Sequence, residues 1–418
     1  MQKRGSVIRN LLNLLVIFAL VIMAGGCGTR NEEIGGENQP PVSPHPPTEK
    51  QQVVLYFSDD EAMYLVPELR EVQYAKDNLP QIIVEELVKG PQTAELRPVL
   101  PETTKVLSLE VWGGTAYVNL SKEFERDYPG GTCGEGMALG SMVQSLTELE
   151  NVRKVQFLIE GKKVEVLDKG HADLSQPFYR DLRLGNVELN SNELEKEQQE
   201  ADQGKRAWRL DPLATARKEG PLHRLYVNGE YNLISQKTGE YSGTGEATVF
   251  HTFGGATYEV ELIQPVKTGA GGIWVINSIL PVGTKDEAIT SFLENQYWQP
   301  ILGGKTCSAY EILGEKKYEE RTVVYIWVYC SEYTEKGLEE KSGVISEPLA
   351  LTIYSADEGH QAVIDMRAPE DGAYYESSIK RIFPSEVQKK ILGKSKDIGA
   401  LKEQARKKAA DFYQKKEQ

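Results

Sequence analysis

Histidine, cysteine and carboxylate side chains could do chemistry in this chain of 418 residues, but their spacing matches no known catalytic pattern. The histidines are scattered, and no two have the spacing of metal ligands; they are His45, His171, His223, His251 and His360. The four cysteines form no CxxC pair, and the sequence has no GxSxG motif of a serine hydrolase. We therefore predict no catalytic residue, no metal site and no cofactor.

Carboxylates at two turns are the remaining candidates for catalysis. Asp59-Asp60-Glu61 and Asp357-Glu358 each place adjacent acidic groups where a chain reversal is predicted. Paired carboxylates serve as acid and base in glycan cleavage, so a cell-wall hydrolase is one interpretation. Acidic side chains at turns more often bind the backbone of their own turn. We favour this second interpretation and predict that the chain is not an enzyme.

The first 30 residues have the pattern of an export signal. Three basic residues precede an apolar run of 14 positions, Leu11–Ala24. A membrane-spanning helix needs about 20 apolar residues, so residues 1–26 are predicted to be a signal peptide rather than a permanent anchor. The sequence Ala24-Gly25-Gly26-Cys27 resembles the bacterial lipobox, in which the cysteine is acylated. Cys27 is the predicted lipidation site.

Composition agrees with a lipid-anchored protein. Residues 27–51 are rich in Pro and Gly and have almost no large apolar residue, which is typical of an extended tether. The formal net charge of −14 argues against nucleic acid as a partner, because phosphate neutralisation needs clustered Lys and Arg. We expect a protein on the extracytoplasmic face of the cell membrane, with protein partners in the envelope; self-association stays open.

Three cysteines remain after Cys27. Cys307 and Cys330 could face each other across neighbouring strands, and an exported chain meets an oxidising compartment, so a disulfide between them is predicted. Cys133 follows a Gly-rich loop at a predicted helix start, where the helix dipole would activate a nucleophile. No histidine lies near it in the sequence, so a thiol without a catalytic role is the favoured interpretation.

The periodicity of apolar residues predicts an α+β multidomain fold. Over residues 52–185 the element order is β, β, α, β, β, α, β, β, which is typical of an α/β sandwich with one sheet and helices on one face. The second strand is predicted to be interrupted at Pro67, and the first helix to end at Gly90-Pro91. A hairpin is predicted around Gly113-Gly114. These elements form the first predicted domain.

Four further segments are predicted in the rest of the chain. Residues 186–221 are polar and acidic and form either a linker or a solvated helix. Residues 222–282 carry strand-like runs between Gly-rich turns, starting with Leu225-Tyr226-Val227, and predict a β-rich unit. Residues 283–384 predict a helix followed by four strands, which is analogous to a small cystatin-like α+β unit. Residues 385–418 predict a charged helix.

Motifs of the first domain occur in the order found in a known family. They are VVLYFSDDEAMYLVPELREV, a helix that ends in LVKGP, VNLSKEF, SMVQSLTELENVRKVQFLIEGK and HADLSQPFYRD. Together they resemble the GerMN domain of sporulation and spore-germination lipoproteins, over about residues 52–181. The resemblance implies a membrane-tethered, non-enzymatic α/β domain related to ring-forming modules of the spore envelope. The protein that typifies the family has two such domains and this chain one, so a ring-building role is not carried over.

Sequence and resemblance together predict a lipoprotein on the surface of a spore-forming, Gram-positive bacterium. Its expected function is protein binding or assembly at the cell envelope during sporulation or spore germination. One alternative is a cell-wall (peptidoglycan) hydrolase that uses carboxylates such as Asp357 and Glu358. The other is a solute-binding lipoprotein, although the predicted segments do not form the two similar lobes of such proteins.

Overall fold

The computed structural model describes residues 48–75, 78–128, 131–168, 170–238, 245–298, 300, 303–319, 321–335, 344–370, 372–393 and 398–416. The predicted signal peptide, Cys27 and most of the predicted tether lie outside these residues. Pro47–Gln418 form one compact unit. Within the described ranges, no helix is both long enough and apolar enough to cross a membrane.

The first part of the described chain combines two sheets with three helices. The elements are β1 (Thr48–Ser58), β2 (Leu65–Ala75), α1 (Leu79–Val88), β3 (Val106–Trp112), β4 (Thr115–Leu120), α2 (Lys122–Asp127), α3 (Thr132–Thr147), β5 (Lys154–Ile159), β6 (Lys162–Lys163) and β7 (Phe178–Tyr179). One sheet pairs β1 with β2, and the other has the order β3-β4-β5-β6 with β7 beside β5. Helices α1 and α3 contact both sheets, so a single apolar core holds this part together.

Two details of the predicted first domain are wrong. Strand β2 continues through Pro67, which lies opposite Tyr56 of β1. The proline removes one backbone donor, and this is tolerated because β2 pairs with β1 alone among the described strands. The predicted single sheet is in fact two sheets. The helix that ends before Gly90 and the hairpin at Gly113-Gly114 are confirmed.

The middle part is one antiparallel sheet with helices beside it. Its elements are β8 (Gly185–Asn186), α4 (Ser191–Asp202), α5 (Pro212–Glu219), β9 (Glu230–Thr238), β10 (Gly245–Phe253), β11 (Ala256–Ile263) and β12 (Val275–Pro281). The strand order is β8-β12-β11-β10-β9. In β11 the alternate residues Tyr258, Val260 and Leu262 are buried and form a core with Ala216 of α5. The predicted β-rich character is thereby confirmed for this sheet.

Two segments of the middle part differ from the simplest sequence interpretation. Residues 186–221, for which a linker or a helix was predicted, are helical over α4 and α5. Leu225-Tyr226-Val227 is a loop and not the predicted strand, whereas β9, which was not predicted, begins at Glu230.

The last part is a four-stranded sheet covered by helices on both faces. Its elements are α6 (Lys285–Phe292), β13 (Lys305–Lys317), β14 (Arg321–Tyr333), β15 (Ile345–Asp357), β16 (His360–Arg367), α7 (Tyr375–Ile382), α8 (Ser385–Leu392) and α9 (Gly399–Lys416). Helix α6 packs on one face of the sheet, and α7, α8 and α9 pack on the other. The predicted helix, the four strands and the α+β class are confirmed, while the cystatin-like arrangement stays a prediction.

The predicted disulfide between Cys307 and Cys330 is absent, and both cysteines are free. The register places Cys307 opposite Ser331 and Cys330 opposite Ser308. Because side chains alternate between the two faces of a strand, the two thiols lie on opposite faces of the sheet. Cys330 packs against α6 and Cys307 against α9, where burial raises the pKa of the Cys307 thiol to about 12.

A buried ion pair connects the first part of the chain to the loop at residues 224–228. The side chains of Arg180 and Glu148 are 0% and 2% exposed, and Arg180 Nη2 lies 2.9 Å from Glu148 Oε1. The Glu148 carboxylate also accepts hydrogen bonds from Tyr56 Oη at 2.7 Å and from the backbone N–H groups of Val227 and Asn228 at 3.0 Å. The carboxylate therefore has partners in both parts.

Arg180 donates to acceptors in the same two parts. Its guanidinium donates to the carbonyl oxygens of Gln144 at 3.1 Å, Arg224 at 2.7 Å and Leu225 at 3.0 Å. Burial disfavours its charge, but Tyr56 and Glu148 outweigh that effect and hold the pKa of Arg180 above its usual value. The backbone groups that the ion pair binds are those of the predicted strand at 225–227, which explains why this segment joins no sheet.

We expect Arg180→Ala to lower the free energy of unfolding by about 3–5 kcal/mol, because Glu148 would remain buried without its cation. Equilibrium unfolding in urea at pH 7 measures the loss. The matched control is Arg183→Ala, an exposed arginine three residues away, which should change the free energy by at most about 1 kcal/mol because it loses only a cation–π contact with Tyr64. Equal, small effects of the two variants would contradict the proposed structural role of the ion pair.

Candidate functional site

A cavity of about 780 Å³ lies between β2 and the helical segment that follows β8. We call it the β2 groove. Its walls come from residues 64–69, from residues 187–197 and from residues 206–227, and two residues of β12 complete the lining. Segments that are distant in the sequence therefore form one concave surface, within the size range of small-molecule sites.

Strand β2 supplies an apolar wall of the groove. Glu68 and Arg70 are buried on one face of the strand, and Leu69, between them, is 55% exposed because successive side chains alternate. Other lining residues are also apolar, among them Leu189 and Leu222. An exposed apolar wall of this kind is suited to binding an apolar group.

A cluster of opposite charges lies at the other side of the groove. Arg209 Nη2 lies 3.1 Å from Glu197 Oε2 and also pairs with Glu219. Arg206 lies 3.0 Å from Glu197 and 2.9 Å from Glu200. Arg209 and Glu197 are largely buried, and such charges are tolerated only when they are paired.

Helix caps and one backbone hydrogen bond position these charges. The Asn190 side chain accepts from the N–H groups at the start of α4, the helix that carries Glu197. The Asp211 side chain caps α5, which ends at Glu219. The carbonyl of Arg209 accepts a hydrogen bond of 2.7 Å from the N–H group of Trp274, next to β12. The sheet and the two helices thus hold the cluster in place.

Within this cluster, Glu219 has a pKa far above the ordinary value of a glutamate side chain. Burial raises its pKa to about 7, although Arg209 beside it favours the charged form. A carboxyl group that keeps its proton near neutral pH can act as a general acid, and Glu197 provides a second carboxylate at the same cation. The groove therefore combines an apolar binding wall with a pair of carboxylates.

The two acidic turns singled out in the sequence contact their own turns. Asp59 Oδ1 accepts from the N–H groups of Met63 at 2.8 Å and Tyr64 at 3.1 Å. Asp357 Oδ1 accepts from the N–H of Gly359 at 2.8 Å and lies 2.9 Å from His360 Nδ1. Neither cluster lines the β2 groove. These contacts agree with the interpretation as turn caps.

His45 lies outside the described residues, and the other four histidines lie in different segments of the fold. His223 lines the β2 groove, where burial lowers its pKa to about 4. His251 is buried beside Tyr231 and Tyr258, and burial lowers its pKa to about 3. Over the described residues, no group of three or more His, Cys, Asp or Glu side chains could hold a metal ion. Cys133 is exposed at the start of α3.

Sequence reasoning missed the β2 groove and its charged cluster. Glu197, Arg209 and Glu219 lie in the segment for which a linker or a solvated helix was predicted. Their charges were interpreted as solvated, whereas in the fold they neutralise one another. One sequence signal could have predicted the packed helix that carries Glu197. Asn190 is a typical helix cap, and Leu194 and Ala201 follow it on one helix face.

Comparison with known proteins finds a family model that matches one segment of the chain. Residues 54–165 match the family model Germane, described as sporulation and spore germination. The resemblance predicted from the motifs of the first domain is thereby confirmed for this segment. No curated protein matches the chain.

Solved structures that are similar to the chain cover about a third of it. A candidate lipoprotein from Clostridium perfringens is 27% identical, with 32% of this chain and 88% of that chain covered and a TM-score of 0.24. The first GerMN domain of the sporulation protein GerM from Bacillus subtilis is 24% identical, with 31% and 98% covered and a TM-score of 0.28. The tandem GerMN domains of GerM are 20% identical, with 34% and 57% covered and a TM-score of 0.29.

We expect Glu219→Gln to stabilise the protein at pH 8 and to have little effect at pH 4. The folded state raises the pKa of Glu219 from 4.5 to about 7, so folding favours the protonated form. The cost of ionising Glu219 is therefore absent below about pH 4.5, and it is complete once the pH has risen above about 7. At pH 8 the variant should gain about 2–3 kcal/mol in the free energy of unfolding.

Urea unfolding of both proteins from pH 4 to pH 8 measures this difference. Glu195→Gln is the control, because Glu195 is exposed on the same helix as Glu197 and should show only a small difference at every pH. A stability difference for Glu219→Gln that does not vary with pH would contradict the assignment.

Proposed function

We propose that this chain, whose residues 54–165 form a GerMN domain, is an envelope lipoprotein that binds protein partners during sporulation or spore germination. A lipid on Cys27 holds it to the extracytoplasmic face of the cell membrane, and the protein acts by contact and not by catalysis. The match of residues 54–165 to a family described by sporulation and spore germination is the observation that carries the proposal.

The β2 groove supports a binding role because the GerMN domain itself supplies its apolar wall. Leu69 is exposed there, and the groove is lined on its other sides by residues outside the domain. An apolar segment of a partner protein would bury Leu69 and its neighbours, which is favourable by about 25 cal/mol per Å² of apolar surface removed from water.

A peptidoglycan hydrolase is the second candidate, because Glu219 and Glu197 form a carboxylate pair in the same groove. The raised pKa of Glu219, to about 7, is the property that a general acid needs. This function predicts release of soluble muropeptides and their loss in Glu219→Gln, whereas the binding function predicts neither result.

Leu69→Glu should impair sporulation or germination without unfolding the protein, since Leu69 is an exposed residue of β2. Spore counts and germination rates in the source bacterium measure the effect. The matched control is Leu107→Glu, on β3, where the leucine is 45% exposed and lies outside the groove.

A photo-reactive amino acid at position 69, but not at position 107, should form one discrete cross-linked product in sporulating cells. Normal spores in the Leu69→Glu strain and no cross-link at position 69 would contradict the proposal.

Cys27→Ala should release the protein from the membrane, because lipid chains contribute about 0.8 kcal/mol per buried methylene and nothing else is proposed to anchor it. Fractionation of cells into membrane and aqueous fractions measures the distribution. Cys133→Ala is the control and should remain in the membrane fraction, since Cys133 is a free thiol of α3. Membrane retention of Cys27→Ala equal to that of the wild type would rule out the lipid anchor.

A further inference from the structure

Strand β2 has one edge that no other strand covers within the described residues. Every residue of β1, Thr48–Ser58, has a partner in β2, Leu65–Ala75, and the register does not shift along the pair. No third strand joins this sheet in the described part of the chain. An uncovered edge presents a row of backbone donors and acceptors, to which a further strand can pair.

The hydrogen bonds of Tyr56 show which backbone groups of β2 point to this edge. Tyr56 lies opposite Pro67, but its N–H donates to Ser145 Oγ at 3.0 Å, and its carbonyl accepts from Ser141 Oγ at 2.5 Å. Tyr56 and Pro67 are therefore not a hydrogen-bonded pair, and such pairs alternate along an antiparallel ladder. The N–H and C=O groups of every second residue of β2, counted from Pro67, consequently point away from β1.

Leu69, Glu71 and Gln73 are the next three positions of this kind, and we call their outward side the β2 edge. All three residues are exposed. Their outward backbone groups have no hydrogen-bond partner in the ranges that the structure describes. Groups with this spacing match the backbone of another extended segment, as in proteins that bind a partner by strand addition.

The β2 edge is continuous with the β2 groove through Leu69. The Leu69 side chain lines the groove, so a segment on the edge would also place side chains in the groove. Leu69 is 55% exposed, and an apolar side chain beside it would remove this surface from water. The edge and the groove together therefore select an extended segment that carries an apolar residue.

The charges of the groove add a basic residue to this description. Glu188 and Glu193 line the groove, are exposed and have no ion-pair partner among the described residues. The lining cations are engaged already: Arg206 and Arg209 with glutamates, Arg217 with the carbonyl of Tyr231, and Lys218 with the ring of Trp208. The net charge of −14 likewise favours a basic segment over a second copy of this acidic chain.

We propose that the partner protein adds an extended segment to the β2 edge as a third strand of the β1–β2 sheet; this inference rests on the proposed binding function and specifies its partner. The backbone of the segment pairs with Leu69, Glu71 and Gln73. An apolar side chain packs on Leu69, and a basic side chain on the same face of the segment pairs with Glu188 or Glu193.

A synthetic peptide with the sequence Lys-Thr-Val-Thr-Val-Thr-Lys and a fluorophore at its amino terminus is the probe. Its valines and lysines lie on one face when the peptide is extended. Fluorescence anisotropy with the full-length protein in detergent should show saturable binding. The control peptide has the same side chains, but all its internal amides are N-methylated. It should bind at least about tenfold more weakly, because it has lost its backbone donors.

Two variants at Glu71 test whether the backbone of β2 makes the contact. Glu71→Pro removes the outward N–H, and the proline ring occupies the place of that donor. The variant should keep its circular dichroism spectrum and cooperative urea unfolding, since Pro67 already occupies an equivalent position of β2. Glu71→Ala removes the same carboxylate but keeps the N–H. It should bind the peptide at least about tenfold more tightly than Glu71→Pro does.

Absence of saturable peptide binding, equal affinity of the two peptides or equal affinity of the two variants would overturn the proposal. If Glu71→Pro unfolds, the comparison of the two peptides on the wild-type protein decides alone. Sedimentation velocity of the protein without peptide tests the other occupant. A dimer that Glu71→Ala keeps and Glu71→Pro loses would assign the β2 edge to a second copy and refute the assignment to a partner.

Failure of strand addition is distinguishable from failure of the proposed function. Leu69→Glu in the source bacterium tests partner binding in the groove without reference to the backbone of β2. Impaired spores in that strain, together with equal affinity of the two peptides, would leave the proposed function intact and refute strand addition alone.

Discussion

The buried pair of Arg180 and Glu148 is the interaction on which the arrangement of the described chain depends. Glu148 directly follows α3, Arg180 follows β7, and the backbone groups that complete their coordination belong to residues 224–228. Two opposite charges without water are stable only if almost every donor and acceptor around them is used. The three segments must therefore meet at this point, and a fragment that ended near residue 185 would lose the contacts that Leu225, Val227 and Asn228 supply.

The same loop borders the β2 groove. Val227 lines the groove, and its backbone N–H donates to Glu148. The ion pair that joins the two parts of the chain thus also fixes one border of this site. Binding in the groove would act on residues that are already held by the buried charges.

The local pattern of apolar residues, glycines and prolines was enough to predict most helices and strands of the fold. The alternation at Tyr258, Val260 and Leu262 predicted a strand with one covered face, and Gly90 marked the end of a helix. Strand β9 was missed because among its described side chains only Tyr231 is buried, so no alternation is visible. The disulfide prediction failed for a related reason, since the pairing of Cys307 with Ser331 depends on a register that spacing alone does not fix.

The candidate site was harder to predict from the sequence than the fold. Glu197, Arg209 and Glu219 are ordinary charged residues in a polar segment, and only the folded chain shows that they surround one another. The site arises from contacts between segments that are distant in the sequence.

The attachments of strand β1 have a mechanical consequence for the proposed anchoring of the chain through a lipid on Cys27. Its first residue, Thr48, pairs only with the end of β2, whereas Tyr56, near the other end, is held by Ser141, Ser145 and Glu148. A pull on the tether would open the β1–β2 ladder one rung at a time, because the force acts at the edge of an antiparallel pair. The exposed residues 49–52 separate first, so this part of the strand can yield gradually under load. The strongest resistance begins at Val53, where β1 is buried in the core with α3.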